Sequence, residues 1–517
     1  MIPAAPCWRC MARSPHPQSS ILRIKGLSSN PQWAASFTTT PPFFRIAGVA
    51  KAAKPGTGSK KAPPKRGEKT TFRLTKKNKR DDSHKGKPPA PGERKALRRR
   101  IVLSNTNALD VPGMKEFGTE TMNDLTVEGQ VLTLPGTLVD QLRAVEAFKV
   151  GQGWGYFRRP SMLIRPETLT YGQMFNAINE AASPKTERRV IVGERGSGKS
   201  TLLLQITGMA FLSKWVVISI PDAMNVVDGH TDYAPLQGSS PTQYVQKTYT
   251  SDLLNAISKA NKEVLSELQL SQEHPTFPTP LQSNMSLLRL AQLGAYDVEI
   301  AWPVFQALWS ELNALSTEAH PRPPVLLTSD SLSYAMKDTV YRSSTYETIH
   351  AHDLTLLKWF MNHLSGAQKL HNGGMVIGAM SQSNCPKVPT LDITLTQLEA
   401  MQTQVLAPTS PETLLGKSPM APFLRATGQL PSPIPPSDPF AKYDERVLQV
   451  LKGGPTPIKV HRLKGLSKDQ AKPLMEYWAK SGLLRQTVSE TLVGEKWSLA
   501  GGGIIGELER GCVRMRI

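Results

Sequence analysis

A doubly wound α/β fold built on a mostly parallel sheet is what this 517-residue sequence predicts, and three observations carry the prediction. Residues 188–206, RRVIVGERGSGKSTLLLQI, run from an apolar strand through a glycine-rich turn into a helix. Further short apolar runs of the kind that form buried strands follow at 215–220 (WVVISI), 325–328 (VLLT), 375–380 (MVIGAM) and 458–463 (IKVHRL). Helical stretches at 243–270, 286–315 and 354–370 separate them. Strands that alternate with helices are joined by crossovers, and crossovers make neighbouring strands parallel.

The glycine-rich turn is the first feature with chemical content. Gly193-x4-Gly198-Lys199-Ser200 is a complete P-loop pattern, entered by a strand at 190–192 and left by a helix at 201–212, the context its mechanism requires. Gly196 and Gly198 let the backbone close around phosphate oxygens, while amides at the helix start donate to them with the helix dipole behind. Lys199 is expected to reach the β and γ phosphates, and the Ser200 hydroxyl to coordinate magnesium. The predicted nucleotide-binding residues are Gly193, Glu194, Arg195, Gly196, Ser197, Gly198, Lys199, Ser200 and Thr201.

A second magnesium anchor is normally an Asp at the end of an apolar strand, and PPVLLTSDSL offers Asp330. As a bland alternative, Asp330 is a turn residue or helix N-cap. The predicted metal ligands are therefore Ser200 and Asp330. In hydrolytic relatives of the ring ATPases a Glu commonly follows that Asp and polarises the attacking water; here Ser331 follows. No catalytic residue is assigned, and any hydrolysis is expected to be slow. Ser381, Gln382 and Asn384 end the strand in GGMVIGAMSQSN, where such sheets present a γ-phosphate sensor, although strands commonly end in polar turn residues. No N-K-x-D run occurs, so the residues leave ATP and GTP unseparated.

Charge is distributed unevenly. Residues 1–100 carry 24 Lys and Arg against 4 Asp and Glu, and the remaining 417 residues hold 38 of each, so the whole formal charge of +20 belongs to the first hundred. A neutral body with a cationic arm suggests a polyanionic partner. The opening, rich in Arg and Ser and free of acid until Glu68, has the chemistry of a mitochondrial transit peptide, assigned to 1–50. A basic tail without an address is the alternative. No apolar run approaches the roughly 18 residues of a membrane span. Cys7-x-x-Cys10 is expected to leave with the presequence; Cys385 and Cys512 alone argue for neither a disulfide scaffold nor a metal site.

The remaining divisions follow from composition and period. Residues 51–132 read as a basic, mostly disordered, RNA-contacting arm, a solvated linker being the alternative. Residues 133–187 form a helical extension, with Leu138, Leu142, Val145 and Phe148 at helical spacing and a second helix at 171–182. The nucleotide-binding domain spans 188–463, interrupted at about 386–440 by a proline-rich insertion expected to lack regular structure. Residues 464–517 form a helical lid, with a helix starting near Ser467, a turn at Gly482, a last helix after Gly501–Gly503, and Leu474, Tyr477 and Trp478 on one apolar face. A winged-helix tail is the competing reading.

These parts resemble the death-associated protein family of mitochondrial small-subunit ribosomal proteins, its fungal branch in particular. The similarity runs from Leu134 to Ile517. It rests on AFKVGQGWGYFRRPSMLIR, VGERGSGKSTLLLQ, VISIPDAMNVVDGHTDYAP and EKWSLAGGGIIGEL, in that order. The resemblance implies a P-loop fold of AAA+/STAND type and a structural constituent of the mitochondrial ribosome small subunit that carries GTP or GDP with Mg2+, ATP not being excluded. Its partners would be the small-subunit ribosomal RNA and ribosomal proteins, with no membrane insertion and no homo-oligomer. The rival readings are an active AAA+-type mitochondrial ATPase or nucleic-acid switch and, last, a small-molecule kinase, for which no acceptor site is evident.

Overall fold

The computed structural model describes residues 101–514, apart from 275–276, 278–281, 283, 319, 384, 407–433 and 437. The expected presequence, the basic arm up to residue 100, Asn384 and the centre of the proline-rich stretch lie outside the described residues.

Five strands form the central sheet: β1 (Thr186–Gly193), β2 (Val216–Ile220), β3 (Val325–Ser329), β4 (Gly374–Ala379) and β5 (Lys459–Leu463). Every pairing is parallel, and the order is β5-β1-β4-β3-β2. The strand that enters the glycine-rich turn therefore lies inside the sheet, and the next strand in sequence lies at the far edge. This is the α/β, doubly wound P-loop fold that the sequence predicts.

Helices cover both faces, which is why β2, β3 and β4 read as unbroken apolar runs and are buried throughout. Alternation sorts β1 between two cores: Val190 and Val192 join one, Ile191 the other. The edge strand β5 is half exposed, and Gln402 covers its open backbone, accepting from Val460 N (3.2 Å) and donating to Ile458 O (3.2 Å). At the other edge, the Asn261 side chain accepts from Val217 N (2.8 Å) and donates to Val217 O (2.9 Å), satisfying the open backbone of β2. That bond also explains why the helix expected over 243–270 is two helices, Lys247–Ala260 and Lys262–Glu267, parted at Asn261. The helix expected over 286–315 is likewise divided into Leu287–Tyr296 and Ala301–Leu312, with an Asp297 turn between them in which Asp297 accepts from Glu299 N.

Three expectations about division need correction. Residues 101–132 are not an arm: Leu103, Phe117, Met122 and Val127 are buried in the core under β1. The 133–187 segment is not only helical, since Val131–Thr133 pairs antiparallel with Ser161–Leu163. Its second helix runs Pro166–Asn179, beginning earlier than expected because Pro166 at the first turn already has a helical φ. The proline-rich insertion opens with an 18-residue helix, Pro389–Leu406, whose Leu391, Leu395 and Leu398 are buried; the prolines concentrate beyond it. In the last segment, Lys468–Lys480, Glu490–Leu499 and Ile505–Cys512 form three helices. Leu474, Tyr477 and Trp478 are buried in a core of their own with Phe157 and Leu163.

Candidate nucleotide site

The cradle sits where β1 ends and the helix Lys199–Leu212 begins, at the carboxyl edge of the sheet, where open α/β folds bind their ligands. Its shape depends on glycine. Gly193 has φ +151° and Gly198 φ +96°, and a Cβ on Gly193 would lie 2.5 Å from Leu463 O of β5. The loop is thus folded against the sheet's last strand with no room for a side chain.

Within the loop the Lys199 ammonium donates to the carbonyl oxygens of Gly193 (2.9 Å) and Glu194 (2.7 Å). Burial lowers its pKa, with Asp330, Cys385 and Glu194 opposing the shift. Ser197 Oγ is buried without a partner. Ser200 Oγ donates to Asp330 Oδ2 at 2.7 Å, and Ser331 N to Asp330 Oδ1 at 2.8 Å. The structure thus brings together Ser200 and Asp330, 130 positions apart in sequence. Asp330 directly follows β3 and Ser331 takes a left-handed φ of 59°, which turns the chain away and leaves the carboxylate facing the cradle. Ser381 and Gln382 follow β4, and Gln382 is exposed.

The donor set suits a nucleotide and a divalent ion. An ammonium held only by backbone carbonyls, an unpartnered hydroxyl, and a hydroxyl–carboxylate pair are what a phosphate cradle with a hard-cation corner requires. Gly193–Thr201 would surround the phosphates, with Ser200 and Asp330 toward the ion.

Several residues at the site escaped sequence reasoning. Arg165, 5% exposed, donates from Nη1 to Ser197 O (3.0 Å) and from Nη2 to Lys464 O (2.8 Å), linking the cradle to the root of the lid. Gly506 N, at the start of the last helix, donates to Gly196 O (2.9 Å), so the lid rests on the cradle itself. Gln152 Nε2 reaches Thr201 Oγ1 (3.4 Å), and Lys149 Nζ lies 3.7 Å from Asp330 Oδ2. A cavity of about 140 Å3 opens beside Thr201 between this upstream segment and the lid, lined by Trp154, Leu163, Trp478 and Glu509 among others. All four upstream contributors, Lys149, Gln152, Trp154 and Arg165, lie in AFKVGQGWGYFRRPSMLIR. Their spacing matches no motif, and only the fold gathers them.

Comparison with known proteins now assigns the chain. Residues 162–511 match the family model described as mitochondrial ribosomal death-associated protein 3. The chain belongs to that family. It is 40% identical over 511 residues, 98% of each chain, to the small ribosomal subunit protein mS29 of Neurospora crassa. Among solved structures, a Walker-type ATPase of Pyrococcus abyssi aligns with 66% of this chain and 65% of its own at 15% identity and a TM-score of 0.30.

Proposed function

We propose that this family member is a structural constituent of the mitochondrial small ribosomal subunit, acting in mitochondrial translation, and that its cradle holds a purine nucleotide as a fixed or slowly cycling ligand. Membership of a mitochondrial ribosomal family and near full-length similarity to a small-subunit protein support the first part. The setting is the mitochondrion, and the partners are the subunit's RNA and proteins. Among the described residues, no helix is long and apolar enough to cross a membrane.

The second part rests on one observation, the 2.7 Å bond that brings the Asp330 carboxylate to the Ser200 hydroxyl at the end of the glycine-rich loop. A bound nucleotide with its magnesium would supply charge that ties the loop, β3 and the lid together. This chain's residues hold and enclose it: Lys199 and the loop amides bind phosphate, Arg165 and Gly506 keep the lid on the loop. No Glu stands after Asp330 to orient a water, and Ser331 turns the backbone away from the cradle. That arrangement favours retention over turnover. Guanine as the base follows from the family resemblance, since the cradle itself reads phosphate.

The test pairs two measurements. If the nucleotide is a structural ligand, Lys199→Ala abolishes its retention in the purified subunit and removes the nucleotide-dependent rise in melting temperature. A ligand bound to the native state alone stabilises it by about 2.7 kcal/mol at a hundredfold excess over Kd. Wild-type turnover on the order of 1 per second or faster, with a melting temperature indifferent to nucleotide, would instead establish the ATPase reading.

A further inference from the structure

Lys149 stands outside the P-loop motif, yet its ammonium occupies the metal corner of the cradle. It lies in the loop after the helix Gly136–Ala144. Phe148 beside it is buried and meets Trp154 edge-on at 5.2 Å between ring centroids. Lys149 N donates to Gln152 Oε1 (2.9 Å), and the same oxygen accepts from Trp154 Nε1 (2.5 Å). Gln152 Nε2 in turn reaches Thr201 of the cradle helix. The loop is therefore a braced turn fixed to the site and not a free surface segment.

From that brace the Lys149 ammonium hydrogen-bonds Pro221 O, just beyond β2, and lies 3.7 Å from Asp330 Oδ2. This is the carboxylate oxygen that accepts from Ser200. The Asp330 side chain is 7% exposed and that of Lys149 28%. A carboxylate buried to this degree needs a compensating charge. In P-loop sites the divalent ion contributes that charge; here a covalently tethered cation already contributes it, and at this separation it also repels a divalent ion approaching the same oxygen.

We propose that Lys149 is a resident cation that does part of the magnesium ion's work at Asp330, so that the cradle retains nucleotide with weak dependence on magnesium. The proposal rests on the nucleotide-binding reading above. It makes Lys149 a positioning residue, acting through Asp330 and Ser200, and it suits a ligand meant to stay bound while free magnesium varies.

The experiment titrates a fluorescent guanosine diphosphate into the full-length protein, once with millimolar magnesium and once with EDTA. Wild type should change Kd by less than about fivefold between the two buffers. Lys149→Met should match wild type within a few-fold in magnesium but lose about twentyfold or more in EDTA, the scale of one well-placed charge at roughly 1.4 kcal/mol per factor of ten. Lys149→Arg should behave as wild type. Lys149→Gln keeps a donor for the Pro221 carbonyl without the charge and should follow the Met variant. Melting curves without nucleotide check that each variant folds. Equal magnesium dependence in wild type and Lys149→Met, or complete loss of nucleotide by wild type in EDTA, overturns the proposal while leaving nucleotide binding intact. No binding by wild type in either buffer overturns the nucleotide reading itself.

Discussion

The cradle and the aromatic wall formed by the helices Ala301–Leu312 and Thr355–Ser365 are built on different principles. The cradle is held by a few directional bonds: Arg165 to Ser197 O and Lys464 O, Gly506 N to Gly196 O, Ser200 to Asp330. The wall is held by ring contacts, Trp302 stacked on Phe305 at 5.7 Å, and Trp359 edge-on to Phe305 at 5.0 Å and to Trp309 at 4.9 Å. Removing one polar atom from the cradle should misplace a ligand group at small cost in stability. Removing volume from the wall should cost stability and leave the ligand alone. Stability and function are therefore expected to separate along the molecule, and three substitutions test how cleanly.

The largest effect falls on the wall. Phe305 is 1% exposed and touches both Trp302 and Trp359. Phe305→Ala leaves a void between helices already anchored elsewhere, and a loss of about 4 kcal/mol in unfolding free energy is expected, measured by denaturant titration. Nucleotide affinity per folded molecule should be unchanged. A matching fall in affinity would show that the wall and the cradle are one mechanical unit.

The next effect is again on the wall and depends on pH. His363 packs edge-on to Trp309 at a 4.6 Å ring separation and faces Gln368 O at 3.2 Å. Burial pushes its pKa down from 6.5 to about 4, against a smaller opposing pull from the Gln368 carbonyl. The folded protein thus keeps this ring neutral where the unfolded chain would protonate it. Its contribution to stability is fully present above pH 6.5 and is lost as pH falls toward 4, by up to about 3 kcal/mol. His352, with its pKa pushed down to about 3, titrates over the same range, so the informative quantity is a difference. His363→Gln retains a donor toward the carbonyl and should flatten the fall between pH 6.5 and 4.5 relative to wild type. An unchanged slope would mean that His363 is not neutral in the fold.

The two regions also differ in how much of them could be read from sequence. The cradle's loop was legible because its chemistry is local: the glycines, Lys199 and Ser200 lie within eight residues and work through backbone spacing. Asp330 was legible because strand ends follow a rule. Arg165, Lys149 and Gln152 were not, because each acts across a gap that only the fold closes; Arg165 bridges to Lys464, 299 positions away. On the wall the apolar period announced helices but not their ends. Those ends depend on bonds such as Glu299 N to Asp297 Oδ1 in the turn ahead of Ala301–Leu312, which a periodic pattern does not contain. Proline density misled in the opposite direction: the helix Pro389–Leu406 starts on a proline and contains none after it, so the composition of the whole stretch hid an ordered beginning.

The smallest stability effect is expected at Arg165, and there the functional effect should be the largest of the three. Its guanidinium is buried at the start of the helix Pro166–Asn179, with Glu167 Oε1 at 3.2 Å supplying charge balance, and burial lowers its pKa. Arg165→Met fills most of the same volume but leaves the Ser197 and Lys464 carbonyls without their donor. Hydrogen bonds to charged groups contribute about 2 kcal/mol net, and the lid's separate core around Leu474, Met475 and Trp478 should hold its helices together. The lid should stay folded but sit less firmly on the loop, because the Gly506–Gly196 bond is then the main polar tie between them. Nucleotide should leave several times faster, measured by chase with unlabelled nucleotide, with little change in association. Arg165→Lys supplies charge without the fork that serves two carbonyls at once, and it should recover stability better than it recovers retention. Faster release in Phe305→Ala than in Arg165→Met would reverse the comparison and move control of the ligand from the cradle's bonds to the wall's packing.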